Sequence, residues 1–309
     1  MRRLCLSAAP VLAVVPVLAG GLVVACATSG RTYDDPGSVG FGVDAGQGAE
    51  GGGLTRLAEC EESTRDPYVI ASDNTLYEFV PPTLEFKNKG ALNCPTGGAT
   101  PTSMAIDRQG VAWVRHSDGS IWKVSTKDLS CEATTWRSPD QSFSKFGMGF
   151  SSETKGSSNE VLFLSDSTGA GLGRIDTANY AFRFVGPYTG DLEGRGSELT
   201  GTGDGKLYGF FTTAPARIAE ISKGTGQIVD SKELAGVFAG EAWAFSFYGG
   251  DFYVYTAAGS NGGPPLANKG SNVTRYRPSD NSVTVVKENL GFTIVGAGVS
   301  TCAPTTSVR

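Results

Sequence analysis

A motif of apolar, variable, charged, apolar residues recurs five times along the chain, and it restricts the fold more than any other feature. It reads Leu76-Tyr77-Glu78-Phe79, Ile121-Trp122-Lys123-Val124, Leu172-Gly173-Arg174-Ile175, Ile218-Ala219-Glu220-Ile221 and Val273-Thr274-Arg275-Tyr276, at intervals of 45, 51, 46 and 55 residues. A strand-like segment precedes each copy, as in Val111–Val114 and Phe252–Tyr255, and a polar turn with a third segment follows. Short β-branched and aromatic runs between Gly, Asn, Asp and Pro turns are strands. A fourth segment leads each unit from the second onward: Met104–Ile106, Met148–Phe150, Leu199–Gly201 and Ala244–Ser246. Four strands repeated every 45 to 55 residues define a blade, so the expected fold is all-β: a five-bladed β-propeller with four-stranded antiparallel blades. The small residues of the leading segment suit the innermost strand, where blades crowd the axis.

The first unit lacks its inner strand, whereas the C-terminal segment Ile294–Ser300 has no partners of its own. The expectation is that it completes the first blade, closes the ring and removes the open β edges. The ring then spans about Asp66 to Ala303. Segments such as Ala105-Ile106-Asp107-Arg108-Gln109-Gly110-Val111-Ala112-Trp113-Val114 resemble blade repeats of the NHL and streptogramin-lyase group of propellers. That resemblance covers one or two blades and implies the fold alone. No tryptophan–aspartate pair of the WD40 kind is present. The general likeness is to bacterial propeller lipoproteins.

The N-terminal part carries an address. Arg2-Arg3 is followed by an apolar run from Ala8 to Ala25, the pattern of a secretory signal peptide. The run ends Val23-Val24-Ala25-Cys26, which resembles the lipobox of bacterial lipoproteins. The resemblance implies lipidation of Cys26 and anchoring to the cell envelope, and Ala27 in the next position implies the outer membrane. Residues 26–53, with Gly51-Gly52-Gly53, read as a flexible tether. The expected organisation is therefore a signal peptide at 1–25, a lipid-anchored tether at 26–53, a lead-in at 54–65, the propeller at 66–303 and a short tail at 304–309.

Four cysteines remain beyond the leader and Cys26: Cys60, Cys94, Cys131 and Cys302. In an oxidising compartment they make two disulfides, with three possible connectivities. Ring closure favours Cys60 with Cys302, one just before the first blade and the other just after the closing strand. Cys94 with Cys131 follows by elimination. No CxxC spacing supports zinc.

Net charge is −5, so there is no electrostatic footprint for nucleic acid. A single histidine, His116, argues against a His-rich metal site. No residue set calls for a cofactor. His116 lies in Arg115-His116-Ser117-Asp118-Gly119 and reads as an exposed turn residue.

In a propeller the connections between blades share one face with those between second and third strands, and loops on a rigid scaffold carry function. That face gives the candidate ligand-binding residues Arg115, Asp166, Arg195, Glu198, Glu241 and Trp243. Glu198 and Trp243 fall at equivalent positions, just before the inner strand of their blades, where charge and stacking suit a cation or a sugar ring. The loop from Gly259 to Ser271 on the same face is either a lid or a variable surface loop. The repeated charges Glu78, Lys123, Arg174, Glu220 and Arg275, opposite in sign at four of the five junctions around the ring, suggest ion pairs between blades. The expected role is non-catalytic binding or scaffolding at the envelope, with a protein, peptide or glycan as partner. The alternative is a lyase or hydrolase using loop carboxylates, with Ca²⁺ a further possibility.

Overall fold

A computed structural model describes Cys60 and residues 62–139, 142–257 and 270–307. The segments expected as signal peptide and tether, with Cys26, and most of the Gly259–Ser271 loop lie outside these residues. Among the described residues no helix is long and apolar enough to cross a membrane.

Among the described residues twenty strands form five four-stranded antiparallel sheets. The second blade runs β4 (Pro101–Ile106), β5 (Val111–His116), β6 (Ile121–Ser125) and β7 (Cys131–Ala133) from axis to rim. The third is β8 (Phe146–Ser152), β9 (Glu160–Asp166), β10 (Leu172–Ile175) and β11 (Phe182–Gly186). The fourth is β12 (Ser197–Gly201), β13 (Leu207–Phe211), β14 (Arg217–Ile221) and β15 (Ile228–Glu233). The fifth is β16 (Ala242–Tyr248), β17 (Asp251–Ala257), β18 (Ser271–Arg277) and β19 (Ser282–Lys287). The first blade draws on both ends of the chain: β1 (Tyr68–Ala71), β2 (Thr75–Val80) and β3 (Glu85–Ala91) are joined on the axial side by β20 (Ile294–Gly298). The register is Tyr68 opposite Gly298, Val69 opposite Ala297 and Ile70 opposite Gly296. Closure by the C-terminal strand is thus as the repeat implies.

Packing shows that the ring is complete. Five apolar clusters fill five interfaces between neighbouring blades, including one between the fifth and the first, where Tyr253, Tyr255 and Val273 meet Val69, Phe79 and Ile294. Aromatic rings bridge these interfaces edge to face, as in Phe79 with Tyr253 at 5.2 Å and Trp113 with Phe150 at 5.9 Å. β8 and β12 are buried along their whole length, whereas β3 and β15 at the rim are mostly exposed. Axial crowding explains the inner glycines. A Cβ on Gly147 would stand 2.4 Å from the carbonyl oxygen of Ser197 in the next blade, and one on Gly201 2.1 Å from that of Phe150.

Both disulfides pair as expected. Cys60–Cys302 joins positions 242 residues apart across the seam, and Cys94–Cys131 ties the end of the first blade to the rim of the second. These bonds fit an oxidising, exported environment.

Two expectations fail. The repeated charges do not pair between blades: Glu78 meets Lys87 and Lys89, Glu220 meets Lys206, and Arg275 meets Asp251, each within its own sheet. A side chain on the third strand reaches the adjacent strand long before it reaches the next blade. Lys123 spans an interface by another route, resting over the rings of Trp113 and of Tyr180 in the third blade. His116, read as an exposed turn residue, is 2% exposed. β5 extends through it before the turn begins, which directs its backbone into the ladder opposite Pro101. Its Nδ1 has no hydrogen-bond partner, and burial lowers its pKa.

Candidate functional site

The inner strands all start at one end of the axis, and the loops between second and third strands reach the same end. A cavity of about 550 Å³ lies there. Its lining includes Thr102 and Arg115 from the second blade, Phe146 from the third, Glu198 from the fourth, Trp243 from the fifth and Val295 from the first. Every blade therefore contributes a wall. Lys145, Ser167 and Glu241 lie at its exposed margin.

Glu198, second residue of β12, is 7% exposed. Its Oε2 accepts a hydrogen bond of 2.9 Å from Ser103 Oγ on β4, and that hydroxyl in turn accepts one of 3.1 Å from the Met148 amide on β8. Three inner strands are tied together by this relay. Burial pushes the Glu198 carboxyl up to about 8, against the opposing effects of the Ser103 hydroxyl, Arg115 and the Met148 amide. Gly147 makes the approach possible, since its absent Cβ would stand 2.9 Å from Glu198 Oε2.

Arg115 is 3% exposed and lies over the Phe146 ring at 5.1 Å. Its guanidinium donates to neutral oxygens, Thr102 Oγ1 and the Ser144 carbonyl, and its Nε has no partner. Among the described residues no carboxylate forms a salt bridge with it. Burial lowers its pKa, while Glu198 and Asp118 act in the opposite sense.

Of the six residues expected on this face, Arg115, Glu198, Glu241 and Trp243 converge on the cavity. Trp243 is the second residue of β16, as Glu198 is of β12, so their equivalence holds within the strands themselves. Asp166 and Arg195 do not line it. Asp166 is fully buried and committed to backbone amides: its carboxylate accepts those of Thr168 and Ala170 in its own turn at 3.0 Å and that of Phe143, in the connection before β8, at 2.7 Å. Arg195 is exposed, outside the lining.

The opposite end of the axis holds a second arrangement. After β20 the chain turns under the ring, with Val299, Ser300, Thr301 and Ala303 buried. Thr301 Oγ1 donates to Glu160 Oε2 at 2.9 Å and accepts from Arg108 Nη1 at 3.0 Å, while the Arg108 amide donates to Glu160 Oε1 at 2.8 Å. The Gly249 amide donates to the Pro304 carbonyl at 2.7 Å. The tail thus contacts the second, third and fifth blades, and the Cys60–Cys302 bond fixes it there. Burial pushes the Glu160 carboxyl up to about 7, opposed by the Arg108 amide and the Thr301 hydroxyl. Nothing in the spacing of these residues announces the cluster, because its members lie 52 to 193 residues apart.

The chain matches no family model and no curated protein. Among solved structures it is similar to regucalcin, a calcium-binding protein from Agrobacterium tumefaciens, at 15% identity over 65% of this chain and 67% of that one, with a TM-score of 0.41. It is also similar to a luciferin-regenerating enzyme (14% identity, 77% and 93% covered, TM-score 0.44). A third likeness is to glutaminyl cyclase of Myxococcus xanthus (14%, 61% and 88%, TM-score 0.40). Similarity this low carries no functional argument. The class of protein is fixed by the sheets themselves: a five-bladed β-propeller with an axial cavity on its loop face.

Proposed function

We propose that this protein is a lipid-anchored, exported propeller that acts as a non-catalytic binding or scaffold protein of the bacterial envelope, taking its ligand at the axial cavity. The observation that carries the reading is the cavity itself, a concave site on a rigid ring with a few polar groups among apolar walls. The two disulfides support export, and Val24-Ala25-Cys26 supports the anchor. Two acyl signals at Cys26 would hold the protein stably where one would not.

The test has two arms. In a bacterial host, Cys26→Ser should abolish palmitate labelling and move the protein from the membrane pellet to the soluble fraction; unchanged labelling would remove the anchor. Envelope peptides and glycans retained by the wild-type protein should be lost with Trp243→Ala, and retention at wild-type level would remove the cavity from the reading.

One observation favours the catalytic alternative. Burial pushes the Glu198 carboxyl up to about 8 in a cavity that Glu241 also lines, as suits a general acid. Turnover of a bound glycan that Glu198→Gln eliminates without loss of binding would establish it. The Ca²⁺ form of this alternative has less to draw on, since among the described residues no three His, Cys, Asp or Glu side chains come together as metal ligands.

A further inference from the structure

The polar groups of the axial cavity define the charge of what it can take. Arg115 is a buried cation whose hydrogen bonds go to the neutral oxygens of Thr102 and Ser144 and which has no ion-pair partner among the described residues. A buried charge left uncompensated is costly, and it persists where something pairs it. Glu198 is the carboxyl that could do so, but it accepts no hydrogen bond from Arg115 and accepts one from Ser103 instead. A cation would meet Arg115 and Lys145 in the same cavity, whereas an anion would supply the missing counter-charge. Trp243, Phe146, Pro101 and Val295 provide apolar surface beside it.

Resting on the reading of the cavity as the binding site, we propose that its ligand is a small organic anion, a carboxylate carried on a flat apolar body. The carboxylate faces Arg115 and the body lies against Trp243. Glu198 then acts as a gate on charge. Held up near pH 8, it is mostly neutral at pH 7 and does not repel the anion. Raising the pH ionises it and sets a like charge beside the ligand. The other groups around it are Arg115 on β5, Glu241 just before β16 and Lys145 just before β8, with Ser103 and Met148 as its neutral neighbours.

Calorimetric titration of the purified protein with benzoate and indole-3-acetate, against benzamide, indole-3-acetamide and benzylammonium, tests this. The carboxylates should bind saturably and the amides at least about tenfold more weakly, because an amide leaves the buried cation unpaired. Arg115→Gln should weaken carboxylate binding by about thirtyfold or more. Should that variant fail to fold, Lys145→Ala and Trp243→Ala, at partly exposed positions, should each weaken it several-fold. Carboxylate affinity should fall between pH 7 and 9, and Glu198→Gln should bind at pH 9 as at pH 7. That variant shows whether the fall in affinity belongs to Glu198. Amides or benzylammonium binding as well as the carboxylates would overturn the anion while leaving the cavity a binding site. Absence of binding by both carboxylates would overturn it too, and retention of envelope ligands by the wild-type protein would then show whether the wider reading survives.

Discussion

Cutting the seam disulfide should cost more than cutting the other, by an amount the topology sets. Cys60 and Cys302 are 242 residues apart and Cys94 and Cys131 only 37. In the chain-entropy model these separations correspond to about 5.5 and about 3.8 kcal/mol of unfolded-state restriction, so the difference is about 1.7 kcal/mol. Two double variants, Cys60→Ser with Cys302→Ser and Cys94→Ser with Cys131→Ser, leave none of these four cysteines unpaired and can be compared directly by urea unfolding. The seam variant also loses the 3.2 Å contact from Arg108 Nη2 to Cys60 Sγ, which adds to its deficit. For a domain of this size each kcal/mol corresponds to about 2–4 °C in Tm, which puts the seam variant about 3–7 °C below the other. Equal losses, or a larger one in the Cys94–Cys131 variant, would refute the argument that the staple acts by closing the ring.

Three further outcomes follow from the axis and its two ends. Gly147→Ala should destabilise by about 2–4 kcal/mol, because its Cβ would press on the backbone at Ser197 and Glu198, whereas Gly224→Ala, with nothing within 4 Å, should change stability by less than about 0.5 kcal/mol. Glu198 and Glu160 titrate higher when folded than their ordinary value near 4.5, so the native state binds more protons than the unfolded chain in between. Their contribution is therefore fully present below about pH 4.5 and lost as pH rises through about 7 for Glu160 and about 8 for Glu198; urea midpoints across pH 5–9 should show the decline, and Glu160→Gln with Glu198→Gln should flatten it. Glu78→Ala should shift stability by no more than about 1 kcal/mol in the same assay, since its partners Lys87 and Lys89 keep their side chains partly in solvent and lie within one sheet.

The fold was legible because each strand announces itself locally. β-branched and aromatic runs, hairpin glycines and an orphan final strand all repeat at blade spacing, and ring closure follows from counting them. The disulfides follow from closure. The candidate site was legible to the extent that strand starts determine it: Glu198, Trp243, Glu241 and Arg115 sit where chain direction alone puts them at the mouth of the axis. Asp166 was not, because a carboxylate at the end of a strand can turn back to its own loop amides, and sequence does not say which it will do. His116 was misplaced for a related reason: a polar residue before Ser-Asp-Gly looks like a turn, yet the strand runs one residue further and buries it. The Arg108–Glu160–Thr301 cluster had no local signal at all, since it depends on where the tail lies after the ring has closed.

The central claim is that β20 completes the first blade and so creates the axis on which the cavity lies. Amide hydrogen exchange at Tyr68–Ala71, in the full chain and in one ending at Leu290, tests it most directly. The β1 amides that face β20 should be protected to the level of global unfolding in the full chain and exchange freely in the shortened one, where Gly296–Gly298 no longer oppose them. Equal protection of β1 in both chains would contradict the closed ring.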